Sequence, residues 1–295
     1  MKTILALLLS LAAASAQTTD WDAGANISPN LEAAQFRWWA PADAKTIRGV
    51  LAVIPGRNGD ARDAVNDTEW QALATRQGLA IIGCRLFKPD GAYQGDPDGA
   101  TTRTIEKAVA ELGKANGHPE SANLPLAFWG HSAGSNTSER FAYRNPRRTI
   151  AVASIKGTWG PGDATPQKCD IPILCTIGKT DKPDWVETAC KNYEEGKQNR
   201  ALWVLAFHPS EGHEAGATKP LALAFLDEII TARLGPPPGS SLRKLAAGDG
   251  WLGDPLTLEA AAYSDFQGGK REATWFPGPA TAAAWKTYLT TPKAP

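Results

Sequence analysis

Within this chain of 295 residues, the pentapeptide Gly130-His131-Ser132-Ala133-Gly134 has the strongest potential for covalent chemistry. Its serine lies between an apolar run, Leu124 to Trp129, and a helix-like stretch, Ala133 to Tyr143. A strand-to-helix turn at that junction lifts the hydroxyl out of the sheet, and the flanking glycines let the two backbones approach without side-chain clash. The helix start adds a positive dipole end where negative charge would develop on a substrate oxygen. Ser132 is therefore the candidate nucleophile.

A serine needs a base, and the chain has only four histidines. His118 lies in a loop before the nucleophile strand, and His131 sits beside Ser132 inside the turn. His208 and His213 both follow the apolar run Ala201 to Phe207. His208 adjoins the strand and precedes Pro209, which suits a histidine packed at a strand end. His213 lies in Ser210-Glu211-Gly212-His213-Glu214, on a loop with room to reach Ser132, and is the favoured base. The run Ile171 to Ile177 leads into Gly178-Lys179-Thr180-Asp181, so Asp181 stands at a strand's carboxyl end, where it can orient His213 and stabilise the imidazolium. Asp184 competes, with helix capping as its plainer role. For the oxyanion, the backbone N–H of Ala133 is one expected donor. A second should come from Pro55-Gly56-Arg57-Asn58-Gly59, with Arg57 first and Asn58 next.

Positioning these groups requires alternating elements, and the chain supplies them. Strands are expected at Val50 to Ile54, Leu79 to Arg85, Leu124 to Trp129, Thr149 to Ile155, Ile171 to Ile177 and Ala201 to Phe207. Between and after them, helices are expected at Thr68 to Gln77, Thr101 to Lys114, Ala133 to Tyr143, Trp185 to Tyr193 and Pro220 to Arg233. Strands apolar on both faces that alternate with helices predict an α/β fold with a mostly parallel central sheet flanked by helices. Phe36 to Trp39 reads as an additional antiparallel strand.

Lys2, the apolar run from Ile4 through Ala14 and the small residues Ala14-Ser15-Ala16 read as a cleaved signal peptide over residues 1–16. The expectation is a secreted or periplasmic protein without a membrane anchor. A catalytic domain follows over 17–235, and residues 236–295 comprise a Pro/Gly linker and a Trp-containing C-terminal extension. With 31 basic and 31 acidic residues, no global field draws the chain to nucleic acid or to an anionic membrane. Cys84 and Cys175 read as buried strand thiols, while Cys169 and Cys190 flank a strand-to-helix unit and could bridge. None of the four has zinc-site spacing.

In the turn at Ser132, the order Ser132, Asp181, His213 and the Pro-Gly turn at Gly56, the chain resembles the α/β-hydrolase superfamily over about residues 30 to 235. Its compact core is similar to dienelactone hydrolases, feruloyl and acetylxylan esterases and polyester depolymerases. Lys156 to Asp170 is too short for a large cap domain. The resemblance implies a serine esterase acting through an acyl-enzyme, with no cofactor and no metal. Its partner would be an ester substrate, free or carried on a polymer such as plant polysaccharide or polyester. Trp159 is the first candidate for substrate contact, ahead of Trp129 and Trp185 on the same rim. A peptidase on the same triad is one alternative. A non-catalytic carbohydrate- or surface-binding protein using the C-terminal Trp residues is another.

Overall fold

The computed structural model describes residues 18–23, 31–89, 99–158, 170–235 and 241–292. The signal segment, the linker at 236–240, Trp159 and Cys169 lie outside the described residues. The first strands are β1 (Thr19–Asp22), β2 (Ala33–Trp39) and β3 (Gly49–Ile54). They are followed by α1 (Thr68–Gln77), β4 (Leu79–Phe87), α2 (Ala100–Ala115), β5 (Leu126–His131), α3 (Ala133–Arg144) and β6 (Thr149–Ile155). The second half contains β7 (Ile173–Gly178), α4 (Pro183–Gln198), β8 (Trp203–His208) and α5 (Thr218–Arg233). It ends with β9 (Trp251–Gly253), β10 (Ala260–Ala262), β11 (Thr274–Phe276) and α6 (Pro279–Thr290).

Eight strands form one sheet in the order β1-β2-β4-β3-β5-β6-β7-β8. Pairing is antiparallel between β1 and β2 and between β2 and β4, and parallel from β4 to β8. The α/β expectation therefore holds. The antiparallel strand expected at Phe36 to Trp39 begins three residues earlier, and β1 joins it as a further edge strand. Residues 156–172 connect β6 to β7, too few for a large cap domain.

Both faces of β3 are buried, and its residues alternate between two cores. Leu51 and Val53 pack with Trp70 and Leu73 of α1 and Phe225 and Ile229 of α5. Val50, Ala52 and Ile54 face Ile105 and Val109 of α2 and Phe141 of α3. Helix α1 shows how local chemistry sets the boundaries. The Asp67 carboxylate accepts from the N–H groups of Glu69 and Trp70 at its start, and Gly78, at φ 62°, ends it in the left-handed region.

Chain order places β4 and β5 on opposite sides of β3, a switch point beyond whose strand carboxyl ends open α/β sheets bind ligands. At the other end of the sheet, strands β9, β10 and β11 form a small antiparallel sheet. It packs on the same core as α5 through Leu252, Trp275 and Phe276, together with Trp285 of α6. Thr274 Oγ1 accepts from the Leu205 N–H at 2.8 Å, and Trp285 Nε1 donates to the Leu205 carbonyl at 2.7 Å. Two side chains thereby satisfy backbone groups of edge strand β8. Trp275 and Trp285 are buried in this packing and offer no exposed aromatic surface.

Trp285 is fully buried and its indole N–H is bonded. Trp285→Ala is expected to lower the unfolding free energy by about 3–5 kcal/mol, measured by urea denaturation.

Candidate active site

Ser132 links β5 to α3 and has φ 54° and ψ −117°, a left-handed conformation unusual for a residue with a side chain. Its N–H donates to the Ile155 carbonyl at the end of β6, at 2.8 Å. The glycines on either side are required by close approach. A Cβ on Gly134 would stand 2.3 Å from the Ile54 carbonyl oxygen, and one on Gly130 would stand 2.5 Å from the Gly134 carbonyl oxygen. Helix α3 is thus pressed against the end of β3, and the serine is forced upward between them.

Sequence positions 132, 181 and 213 converge. Ser132 Oγ lies 2.7 Å from His213 Nε2, and His213 Nδ1 lies 2.6 Å from Asp181 Oδ2. The carboxylate can only accept, so Nδ1 carries the proton and Nε2 is free to accept from the serine. Asp181 Oδ1 also accepts from the Lys182 N–H at 2.7 Å. The Asp181 side chain is only 8% exposed and that of His213 is 32% exposed. The hydrogen bond that orients the ring is therefore sheltered while the ring itself reaches solvent. Asp184 lies in the first turn of α4, after the Lys182 cap, and is exposed.

His208 is buried. Its Nε2 donates to the Thr291 carbonyl at 3.0 Å, and its Nδ1 accepts from the N–H groups of Ser210 and Glu211. It anchors the base-bearing loop from below. His131, set aside as a base on sequence grounds, has a different task. Its Nε2 donates to the His213 carbonyl at 2.7 Å, tying the base's backbone to the nucleophile turn. Only the neutral Gly-x-Ser-x-Gly pattern was legible there, because the acceptor lies 82 positions away.

Ala133 is the first residue of α3, so its N–H has no acceptor within the helix. The turn closed by the Gly59 N–H on the Gly56 carbonyl, at 2.9 Å, contains Arg57 and abuts the serine turn. A Cβ on Gly56 would lie 3.6 Å from Ser132 Cβ. Asn58 Oδ1 accepts from the Lys88 N–H. The Trp185 ring stands 4.6 Å from the His213 ring, with the Lys182 ammonium 4.2 Å from the Trp185 centroid. Trp129 instead packs edge-on against Trp70, within the core. Cys84, Cys175 and Cys190 carry free thiols, and burial raises the pKa of each. Among the described residues no group of His, Cys, Asp and Glu is arranged to hold a metal ion.

Burial holds the His131 pKa below its ordinary value. The unfolded chain then takes up this proton first, so stability present at neutral pH is lost as pH falls below about 6.5. His131→Phe leaves the His213 carbonyl without its donor, at a cost of about 1–3 kcal/mol near neutrality. Urea denaturation at about pH 7.5 and about pH 5.5 should show the gap between wild type and variant narrowing in acid, because only wild type titrates at this position.

No protein-family model matches the sequence, and no curated protein matches it. Solved structures do match in three dimensions. The substrate-bound fluorophosphonate-binding serine hydrolase F of Staphylococcus aureus is 11% identical, with 73% of this chain and 97% of that one covered and a TM-score of 0.50. A mutant of the esterase rPPE is 12% identical, with 74% of this chain and 82% of that one covered and a TM-score of 0.50. At such identities the likeness is one of fold, and together with the mostly parallel eight-stranded sheet it identifies this chain as having the α/β-hydrolase fold.

Proposed function

We propose that this chain hydrolyses carboxylic esters through a serine nucleophile. The observation that carries this reading is the alignment of Ser132 Oγ, the His213 ring and the Asp181 carboxylate at 2.7 and 2.6 Å. Ser132 Oγ attacks the ester carbonyl carbon while its proton passes to His213 Nε2, and Asp181 stabilises the resulting imidazolium. The carbonyl oxygen, now negative, accepts from the N–H groups of Ala133 and Arg57. As the tetrahedral species collapses, the bond to the alcohol oxygen breaks and His213 returns its proton to that oxygen, leaving an acyl-serine. Water, deprotonated by His213, then releases the acid and restores Ser132.

The near-neutral charge of the chain suits an uncharged ester better than a polyanion. We place acetyl or feruloyl esters on plant polysaccharide and polyesters first among substrates, with Trp159 contacting the substrate and residues 1–16 removed on export. Of the three C-terminal tryptophans on which the binding-protein alternative rests, Trp275 and Trp285 are spent in the core and Trp251 is half-buried.

On a panel of p-nitrophenyl esters, Ser132→Ala is expected to reduce turnover by about a million-fold and to abolish labelling by a fluorophosphonate probe. Activity that survives Ser132→Ala, or its absence with every ester and with acetylated xylan, methyl ferulate and polyester film, would overturn the proposal. Arg57→Pro deletes one expected oxyanion donor at a turn position that accepts proline, and should lower kcat by about 100- to 1,000-fold. Arg57→Ala retains the N–H and should keep most of the rate. N-terminal sequencing of exported protein is expected to begin at Gln17.

A further inference from the structure

The base of the site is held by a buried charged cluster that the hydrolytic steps do not use. Lys156 follows β6 directly, one residue past the carbonyl that holds the Ser132 N–H. Its ammonium group is fully buried and donates to Glu211 Oε2 at 2.8 Å and to the Tyr288 hydroxyl at 2.9 Å. The Tyr288 hydroxyl in turn donates to Glu211 Oε2 at 2.5 Å. These three residues come from the β6 end, the loop that carries His213 and the C-terminal helix α6. Hydrogen-bond donors and acceptors match throughout: the lysine donates to both partners, the phenol accepts once and donates once, and the carboxylate only accepts.

Glu211 stands two positions before His213, and nearly all its polar groups are fixed. Its second carboxylate oxygen accepts from the Ala217 N–H at 3.1 Å, its own N–H donates to His208 Nδ1, and its carbonyl accepts from the Thr180 N–H at 3.0 Å. That last bond joins it to the segment carrying Asp181. Gly216, at φ 55°, leaves no room for a side chain, since a Cβ there would lie 2.3 Å from Glu211 Oε1. His208, against the Tyr288 ring at 4.8 Å, adds the bond to Thr291 just beyond α6. The loop is therefore clamped at its centre by a buried carboxylate, and two of the clamp's donors come from outside the base-bearing half of the site.

We propose that Lys156 and Tyr288, acting through Glu211, are positioning residues for His213, and that α6 is thereby a working part of the active site. This inference rests on the hydrolase reading. A buried carboxylate that keeps only some of its donors is free to rotate toward other partners, and a displacement of about 1 Å at a general base is enough to cost about 100-fold in rate.

Tyr288→Phe removes one oxygen and retains the ring, so the chain should fold. It is expected to lower kcat by about 10- to 100-fold with KM nearly unchanged. Trp285→Phe, on the same helix but bonded to β8, serves as the stability control and should keep the wild-type kcat. The low-field proton resonance of the His213–Asp181 hydrogen bond gives a readout that needs no substrate. It should shift or broaden in Tyr288→Phe and remain in Trp285→Phe. If wild type hydrolyses no ester, the hydrolase reading falls, and the resonance still decides whether Tyr288 positions His213. A wild-type kcat and an unmoved resonance in Tyr288→Phe would overturn the inference, as would equal kcat losses in the two variants.

Discussion

Everything at this site depends on one backbone constraint, the left-handed conformation of Ser132. A residue with a side chain adopts φ near 54° only when its surroundings over-determine it. Here three contacts do so: Gly134 against the Ile54 and Pro55 carbonyls, Gly130 against Gly134, and the Ser132 N–H on Ile155. The strain is borne by strands β3, β5 and β6 together, of which β3 and β6 are buried along their whole length. A loop could not hold the hydroxyl in this way, because it would relax into a lower-energy turn. The rigidity of Ser132 also explains the wiring of His213. Since Ser132 cannot move to meet His213, the histidine must be brought to the serine and kept there.

The holding is done by groups of different character. Asp181 fixes the ring, His131 fixes the backbone carbonyl of His213, and Glu211 fixes the loop two residues earlier. Burial works to raise the Glu211 pKa, but hydrogen bonds from Lys156, Tyr288 and Ala217 outweigh it and keep the carboxyl below its ordinary value. Glu139, buried behind the nucleophile on α3 with the Ser154 hydroxyl as its close partner, shows the opposite balance. Burial prevails over the hydrogen bonds from Ser154 and Tyr143 and pushes its pKa up to about 8. Two buried glutamates are thus shifted in opposite directions, and the difference follows from their partners: Lys156, Tyr288 and Ala217 all donate to Glu211.

Much of this architecture was legible in the sequence because it is locally encoded. The parallel strands are apolar on both faces, the serine turn has both its glycines, and Asp181 and His213 each follow a recognisable strand. What was not legible depends on pairs far apart in the chain. Nothing near Tyr288 distinguishes it from any aromatic on a helix, and its hydroxyl finds Glu211 77 positions away. Strand β1 carries too few apolar residues to stand out, with burial alternating between half-buried and exposed. Tryptophan was the least informative residue type: the same side chain fills the core at Trp38 and Trp285, packs on the His213 ring at Trp185, and neither role leaves a mark in its neighbours.

The capping of β8 has a consequence for what this edge of the sheet can pair with. A sheet edge with free N–H and carbonyl groups is a template for another strand, and β8 is the edge beside the base-bearing loop. Here Thr274 and Trp285 occupy the Leu205 groups that such a strand would need. The last part of the chain therefore occupies, at Leu205, the backbone groups through which a further strand would pair. A molecule clipped after α5 would present the Leu205 N–H and carbonyl at this edge to any strand able to pair with it.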